Sequence, residues 1–416
     1  MDNPRHLPIF PAMTSRAQIA IVGGGLSGPL MALALARAGH PVTVIDAAPE
    51  TVRRNAAFDG RSYAVALTSC RLLQNLGLWG QLADHAQPIL RIKVSDGHAG
   101  QGPSPLWLGF DHAEIEEGPM GHMIEDRHLR RTLLDAMAGE DFITHRAGDA
   151  VVAQDVEPNG VSLRLASGET VHAALVIGAD GRASGTAARA GIKRIGWSYK
   201  QTALVAAIEH ALPHDGTAHQ FFMPPGPLAI LPLTGNRSSI VWSEKAETAA
   251  AFMALSDADF LTVLRPRFGS FRGEIKLAGK RWSYPLGLTL AQKMIAPRTA
   301  LIGDAAHGVH PIAGQGLNAG MRDIAALADV MTAAAARGED VGSDGVLSRY
   351  QDWRRFDNTA LAVATDGFNR LFSNDNPILR GVRTLGLGAI NAAPRLRRGF
   401  IREAAGLTGE LPALMR

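Results

Sequence analysis

Thr299-Ala300-Leu301-Ile302-Gly303-Asp304-Ala305-Ala306-His307, running on through Pro311 and Gly314-Gln315-Gly316-Leu317-Asn318-Ala319-Gly320 to Asp323, sets an apolar run against a polar elbow and a glycine-rich turn. The run ends at Gly303-Asp304 as a buried strand would. After Pro311 the glycines open into Met321 to Arg337, alanine-rich enough for a long helix. Strand, elbow and helix N-terminus follow one another. The Asp304 carboxylate can accept a hydrogen bond from a sugar hydroxyl. The free N–H groups around Gly316 to Gly320 offer donors to an anion or an electron-rich ring, with little side chain in the way. A large phosphorylated cofactor suits such a stretch; a glycine-rich αβ connection with an ordinary surface Asp is the other reading.

A second elbow lies near the start. The strand-like Gln18 to Val22 leads into Gly23-Gly24-Gly25-Leu26-Ser27-Gly28, then an Ala/Leu-rich helix from Pro29 to Ala38, then a strand from Pro41 to Ile45 closed by Asp46. A GxGxxG between strand and helix, with an acidic residue about twenty positions on, is the context of a dinucleotide fingerprint. Gly23 then allows the tight turn, Gly25 admits the pyrophosphate and Gly28 lets helix pack on strand, while Asp46 binds an adenosine ribose. NAD and FAD both fit this fingerprint. The third elbow, Ala174 to Ile177 followed by Gly178-Ala179-Asp180-Gly181-Arg182-Ala183-Ser184, favours FAD, because three elbows spread along one chain imply one long ligand threaded through the domain.

The 416 residues make room for two or three intertwined domains at ~100–200 residues each. Apolar residues at 46% and charged residues at 19% describe a globular chain. The net charge is only +3, from 42 Lys and Arg against 39 Asp and Glu, so nucleic acid is not an expected partner. A single cysteine, Cys70, leaves no internal disulfide and no cysteine-rich metal site, which suits a reducing cytoplasm. Met1 to Ser15 carries no signal-peptide core, and no run of ~18 uncharged apolar residues reads as a spanning helix. In the middle of the chain, His219 to Met223, Leu228 to Leu233 and Ser238 to Trp242 read as strands of one sheet, with Gly235-Asn236 as a hairpin turn.

The combination of GxGxxG, Gly-Ala-Asp-Gly and Gly-Asp-Ala-Ala-His with Pro311 and Gly-Gln-Gly-x-Asn-x-Gly resembles the single-component flavin aromatic hydroxylases, the p-hydroxybenzoate hydroxylase-like group of FAD-dependent monooxygenases. Within it, the chain is most similar to the ubiquinone-biosynthesis hydroxylases. That likeness rests on Asp59-Gly60-Arg61, Leu76 to Trp79, Ile92 to Asp96, Gly226 to Leu233, Trp353 to Asn358, Leu371 to Asp375 and Arg383 to Leu387. It implies an α/β fold with a Rossmann-like FAD-binding domain, interleaved with a β-sheet substrate domain and followed by a helical C-terminal region. The expected boundaries are 16–100, 121–195 and 286–340 for the FAD-binding parts, 101–120 and 196–285 for the substrate domain, and 341–416 for the helical region.

The resemblance implies that Asp46 binds the adenosine ribose, Arg61 contacts the cofactor and Asp180 supports the cofactor and nicotinamide-nucleotide region. It further implies that Gly303 and Asp304 hold the ribityl chain. Pro311 with Gly314, Gln315, Gly316, Leu317 and Asn318 would lie at the isoalloxazine, stabilising its anionic reduced form by oriented amides. Phe221, Met223, Leu231 and Trp242, with Phe222, are candidates for the substrate cavity, half of them expected on the other face by strand alternation. One departure is Ala187, where the group places an Arg; Arg182 and Arg189 are the nearby cations. The implied chemistry is hydroxylation of a polyprenylated phenol by a flavin C4a-hydroperoxide, with NAD(P)H and O2.

His307 and His310 read as hydrogen-bonded loop residues rather than metal ligands, and no metal is expected. Arg380 to Arg402 holds six arginines and no acidic residue. That segment is either a solvated basic face or a peripheral contact with the inner face of an anionic membrane, each arginine adding ~1 kcal/mol. Other ubiquinone-biosynthesis proteins are possible partners. Two alternatives stay open: the same chemistry on a small soluble aromatic, and a flavin-containing assembly subunit.

Overall fold

The computed structural model describes residues 18–100, 102–373 and 377–416. The segment Met1 to Ser15, and Asn374 and Asp375 of the late motif, lie outside these. Ile19–Val22, Val42–Asp46 and Leu175–Gly178 are buried along their whole length, the pattern of strands covered on both faces. They are central in a six-stranded sheet ordered Ile295–Ala296, Thr299–Leu301, Leu175–Gly178, Ile19–Val22, Val42–Asp46, Ile143–Ala147, parallel except at its first strand. One face is covered by the helices Ser27–Arg37 and Gln315–Ala336, which pack Leu30, Leu33, Ile324 and Leu327 against Ile19, Ile21, Ile177 and Leu301. The other face carries a three-stranded antiparallel sheet, whose Val161, Leu163 and Leu165 meet Ala20, Val22 and Val176.

A second sheet of eight strands runs in the order His307–Gly308, Ile275–Ala291, Arg194–His210, Arg237–Lys245, Leu228–Leu233, Thr217–Phe222, Arg91–His98, Gly102–Asp111. The three middle strands read from sequence are all here, and Gly235 takes φ +75° in the turn joining two of them. Its two faces meet different neighbours. Leu228, Ile230, Ile240, Phe221 and Trp242 pack under the helices Ala246–Met253 and Asp257–Phe268. Leu231, Leu233, Ala207 and Ala218 pack toward Leu67, Met120 and Met123 on the other side.

The long helix begins at Gln315, earlier than the glycines of its first turns suggest. Gly314, at φ +65°, turns the chain into it, and Gly320 lies so close to Gly303 that a Cβ built there would be 3.1 Å from the Gly303 Cα. Close packing overrides the weak helix propensity of glycine. The C-terminal part is helical, as Asp344–Phe372, Pro377–Asn391 and Pro394–Ala404. Among the described residues no helix is long and apolar enough to cross a membrane.

Candidate cofactor and substrate site

The three elbows leave the same end of adjacent parallel strands. Val22 is in register with Gly178, and Gly178 with Leu301. The carboxyl ends of such strands are where open α/β sheets bind their ligands. Gly23 sits at φ +115°, and a Cβ built on it would lie 2.4 Å from the Ala179 carbonyl oxygen, so the first and second elbows touch there. A Cβ on Gly28 would lie 1.9 Å from the Gly23 oxygen, whereas one on Gly25 meets nothing within 4 Å. Gly23 and Gly28 are required by protein packing; Gly25 faces open space. Gly303 approaches Ser27, a built Cβ being 2.9 Å from its Oγ, which joins the third elbow to the first.

Each acidic residue of the elbows has a distinct setting. Asp46 is buried and accepts from Arg53 Nε at 2.7 Å, Arg53 Nη2 at 2.9 Å and the Ala48 amide at 3.1 Å. Burial pushes its pKa up, but Arg53 and the backbone donor outweigh burial and hold it below the ordinary carboxylate range. Asp180 turns inward, accepting from Ser184 Oγ at 2.5 Å and from the Thr186 amide and hydroxyl at 2.9 Å each, so it anchors the short helix Gly185–Arg189. Asp304 is the open one. Its side chain is 46% exposed, and the donor facing its carboxylate is Arg182 Nε at 3.3 Å.

Of the two cations near Ala187, Arg182 therefore turns to Asp304. Arg189 donates to the Val151 carbonyl at 3.1 Å, and Ala187 itself is buried with its amide donating to Ser184 Oγ. Arg61 is held by Asp59 at 2.7 Å and Asp126 at 3.1 Å, with its guanidinium 5.1 Å from the centre of the Trp282 ring.

Pro311 precedes the one-turn Ile312–Gly314, and Gln315 starts the long helix with no side chain capping its N-terminus. The helix Ser27–Arg37 behind the first elbow likewise lacks a side-chain cap. Two helix starts without side-chain caps, over glycine-lined ground, are where backbone N–H groups could donate to the phosphates and ring of a dinucleotide. Gln315, Gly316 and Leu317 remain partly exposed at this start. Asn318 is committed to the protein: its Nδ2 donates to the Ala64 and Gly314 carbonyls at 2.9 Å, and its Oδ1 accepts from the Ala66 amide at 2.8 Å. It ties the Ser62–Ala66 strand to the turn through its own side chain.

Beneath the third elbow lies a network to which residue spacing gave no pointer. Asp323 is fully buried. It accepts from the Gly303 amide at 3.1 Å, Arg354 Nε at 2.9 Å and Asn358 Nδ2 at 3.1 Å, and His307 Nε2 lies 2.6 Å away. Arg354 also donates to Asp357 at 2.5 Å. His307 is thus bonded to a carboxylate, but it opens the short strand His307–Gly308 instead of lying in a loop, and His310, expected to be hydrogen-bonded, has no partner for either ring nitrogen among the described residues. His310 is buried, its ring edge-on to Tyr199 at 5.4 Å, and burial with the nearby Arg182 lowers its pKa to about 4. Among the described residues no group of three His, Cys, Asp or Glu side chains is placed to hold a metal ion.

Three of the cavity candidates share a face, where Phe221 and Met223 line one cavity, and Leu231 stands apart from them. Leu231 faces the side of the nucleotide-binding sheet, whereas Phe221, Met223 and Trp242 lie on the opposite face, beneath the two helices. Trp242 is core there, 5.0 Å from the Phe252 ring and beneath the Arg267 guanidinium at 4.9 Å. Residues that share Leu231's face by register are Ala229, Val241 and Val205, each partly exposed. Phe222, out of phase with Phe221, stacks on Phe372 at 4.0 Å.

Known proteins resemble the chain over nearly its whole length. The family model described as FAD binding domain matches residues 16–363. The ubiquinone hydroxylase UbiL of Rhodospirillum rubrum is 43% identical over 412 residues, covering 98% of this chain and 95% of that protein. The 3-demethoxyubiquinol 3-hydroxylase of Escherichia coli is 35% identical over 394 residues, 94% of this chain and 98% of that one. Human ubiquinone biosynthesis monooxygenase COQ6 is 31% identical, over 93% and 92% respectively. The crystal structure of p-nitrophenol 4-monooxygenase PnpA from Pseudomonas putida shares the fold with a TM-score of 0.78 at 19% identity, covering 96% of this chain and all of that one. With the three elbows converging at the strand ends and a family match across most of its length, the chain belongs to the FAD binding domain family of FAD-dependent monooxygenases.

Proposed function

We propose that the protein hydroxylates the aromatic ring of a polyprenylated phenol intermediate in ubiquinone biosynthesis, using FAD, NAD(P)H and O2. The observation that carries this reading is that the likeness to the ubiquinone hydroxylase UbiL spans 98% of the chain, and so includes the eight-stranded sheet as well as the nucleotide-binding sheet. When bound, FAD supplies the redox and oxygen-transfer chemistry; the chain's own residues bind, orient and exclude water.

The uncapped start of the helix Ser27–Arg37, reached over Gly23, Gly25 and Gly28, would hold the pyrophosphate, with Asp46 at the adenosine ribose. Arg61 and Asp180 would support the cofactor, Asp180 through the turn it anchors rather than by direct contact. Asp304, whose carboxylate is half exposed, would hold the ribityl hydroxyls. The amides after Gly314, at Gln315, Gly316 and Leu317, with Pro311 alongside, would meet the pyrimidine edge of the ring. Donors fixed in place beforehand stabilise negative charge there without reorganising. Leu231, with Ala229, Val241 and Val205 on the same face, gives the ring of a phenol an apolar roof. This is the wall that water exclusion needs.

Contact with an anionic membrane surface is part of this reading, because a polyprenyl chain is lipid-borne. The structure narrows the residues that could make it. Arg383 is buried against Asp96, while Arg397 and Arg402 are paired with Glu114 and Glu117. The side chain of Arg380 lies outside the described set. Arg395 and Arg398 remain exposed, and so do the C-terminal residues Leu385 and Leu396, at 67% and 51% exposure.

The test is a lipid-extract profile of cells lacking the protein, rescued by the parent chain or by Asp304→Ala. One under-hydroxylated prenyl phenol should accumulate and be cleared by the parent alone. Unchanged quinone levels would overturn the reading in favour of a soluble aromatic. Clearance by an Asp304→Ala protein that binds no FAD would point to an assembly role.

A further inference from the structure

The eight-stranded sheet has a cavity of about 810 Å³ on the face turned away from the nucleotide-binding sheet. Its floor is set by register. Ser95 pairs with Trp107 on one side and Phe221 on the other, and Lys93 pairs with His219. Directly paired residues share a face, so these five side chains rise together on the side of Phe221 and Trp242. Across from them stand the end of the helix Asp257–Phe268 and the loop after it. The Phe271 ring lies 4.7 Å from His219 and 6.3 Å from Phe221. A serine between two aromatic neighbours leaves a notch in an otherwise aromatic surface.

Two polar groups in this floor lack a hydrogen-bonding or ionic partner among the described residues. Ser95 is buried at 3% exposure, and its hydroxyl has no hydrogen-bond partner among the described residues, an arrangement that costs free energy unless something else supplies the bond. Lys93 has no carboxylate partner among the described residues; its ammonium stands 5.3 Å from the centre of the Trp107 ring. The arginines of the lining are engaged, Arg265 by Glu274 at 3.4 Å and Arg267 by Glu244 at 3.5 Å. His219 is neutral at physiological pH: burial, with Arg272 and Lys93 nearby, lowers its pKa to about 3. The site thus offers aromatic walls, an exposed ammonium resting on the Trp107 ring with no carboxylate partner among the described residues, and a hydroxyl with no hydrogen-bond partner among them, within the volume range of small-molecule pockets.

We propose that this cavity is a second ligand site, taking a planar aromatic carboxylate whose ring lies among Trp107, Phe221 and Phe271 and whose carboxylate accepts from the Lys93 ammonium and the Ser95 hydroxyl. It lies on the sheet face opposite Leu231, and so apart from the apolar face on which the proposed phenol site rests.

The experiment is calorimetric titration of the FAD-loaded protein with 2-naphthoate and, as a matched neutral probe, 2-naphthamide. Naphthoate should bind saturably and more tightly than the amide. Lys93→Met should weaken naphthoate about tenfold and Ser95→Ala several-fold, the scale of a charge-assisted hydrogen bond. The amide should be indifferent to Lys93→Met, and Lys93→Arg should retain naphthoate binding. Flavin content and melting temperature, unchanged in each variant, establish that folding is intact. The proposal is overturned if naphthoate does not saturate the parent protein. It is equally overturned if Lys93→Met and Ser95→Ala bind naphthoate as the parent does, because the anion then sits elsewhere, as at the nucleotide turn.

Discussion

Replacing Asp323 by Asn removes the charge from the centre of a buried network while keeping its shape. Burial raises the Asp323 pKa, but His307 and Arg354 outweigh it and hold the carboxylate to about 2. The folded value lies below the ordinary 3.8, so the ionised group contributes stability above that pH and loses it as pH falls toward 2. The difference is worth about 2 kcal/mol at neutral pH. The Asp323→Asn change would do worse than forfeit this, since it leaves Arg354, 1% exposed, without its main counter-charge and turns an amide donor toward other donors. Removing one partner of a buried pair costs ~3–5 kcal/mol; Asp357, still 2.5 Å from Arg354, keeps the loss near the lower end, about 3 kcal/mol. For 416 residues, at ~2.1 cal/mol/K of unfolding entropy each, that lowers the melting temperature by about 3 °C. The Gly303 amide loses its acceptor too, which loosens the backbone next to Asp304, so less FAD stays bound per chain after gel filtration. Arg354→Met should cost a similar amount, and the double variant much less than both together. A melting temperature within about 1 °C of the parent, or losses that simply add in the double variant, would refute the reasoning.

Gly28→Ala should yield protein without flavin, read from its visible absorbance, because the new methyl meets the Gly23 oxygen; Gly25→Ala, with open space around it, should fold normally and bind FAD more weakly. Cys70 is buried and its pKa is pushed up to about 12, so iodoacetamide at about pH 8 should leave the native thiol unmodified and label it fully in denaturant, as mass spectrometry would report. Arg383→Met takes the guanidinium away from the buried Asp96 carboxylate at a cost of ~3 kcal/mol, which should appear as a lower denaturation midpoint and as faster proteolysis within Pro377–Asn391. Reversing two exposed charges with Arg395→Glu and Arg398→Glu should reduce co-sedimentation with phosphatidylserine-containing vesicles about tenfold or more, and no change would remove these residues from the membrane contact.

Much of the nucleotide-binding half was legible because its motifs are backbone requirements. A glycine is demanded wherever a Cβ would strike a carbonyl, as at Gly23 and Gly28, and such demands appear as fixed spacings beside apolar strands. The roof sheet was legible as strands but not as faces. Phe221, Met223 and Trp242 drew attention as large apolar residues, yet which side of a strand turns to the ligand depends on what covers the other side. Here the helices Ala246–Met253 and Asp257–Phe268 cover Trp242 on that face, which opens into a cavity only at Phe221 and Met223. The role of Asn318 was hidden for a related reason. From sequence it belongs to the ring-binding turn, while in the fold its amide is spent holding the Ser62–Ala66 strand to that turn.

Least legible were the buried ion pairs, since partners far apart in sequence leave no local pattern. Asp323 and Arg354 lie on successive long helices, and Asp96 and Arg383 are separated by most of the chain. Several of these partners fall in stretches on which the likeness to the ubiquinone-biosynthesis hydroxylases rests and which contain no cofactor motif. The late stretch Trp353 to Asn358 supplies Arg354, Asp357 and Asn358 to the hub that steadies Gly303. Ile92 to Asp96 and Arg383 to Leu387 are two ends of one contact: Arg383 reaches Asp96 at 3.0 Å and the Leu371 carbonyl at 2.8 Å, fastening the C-terminal helices to the roof sheet next to the stacked Phe222 and Phe372. A buried charge at each of these places is tolerable only with its partner present. The C-terminal helices are therefore tied into both sheets: one pair steadies the elbow at Gly303 and the other fastens the eight-stranded sheet at Asp96.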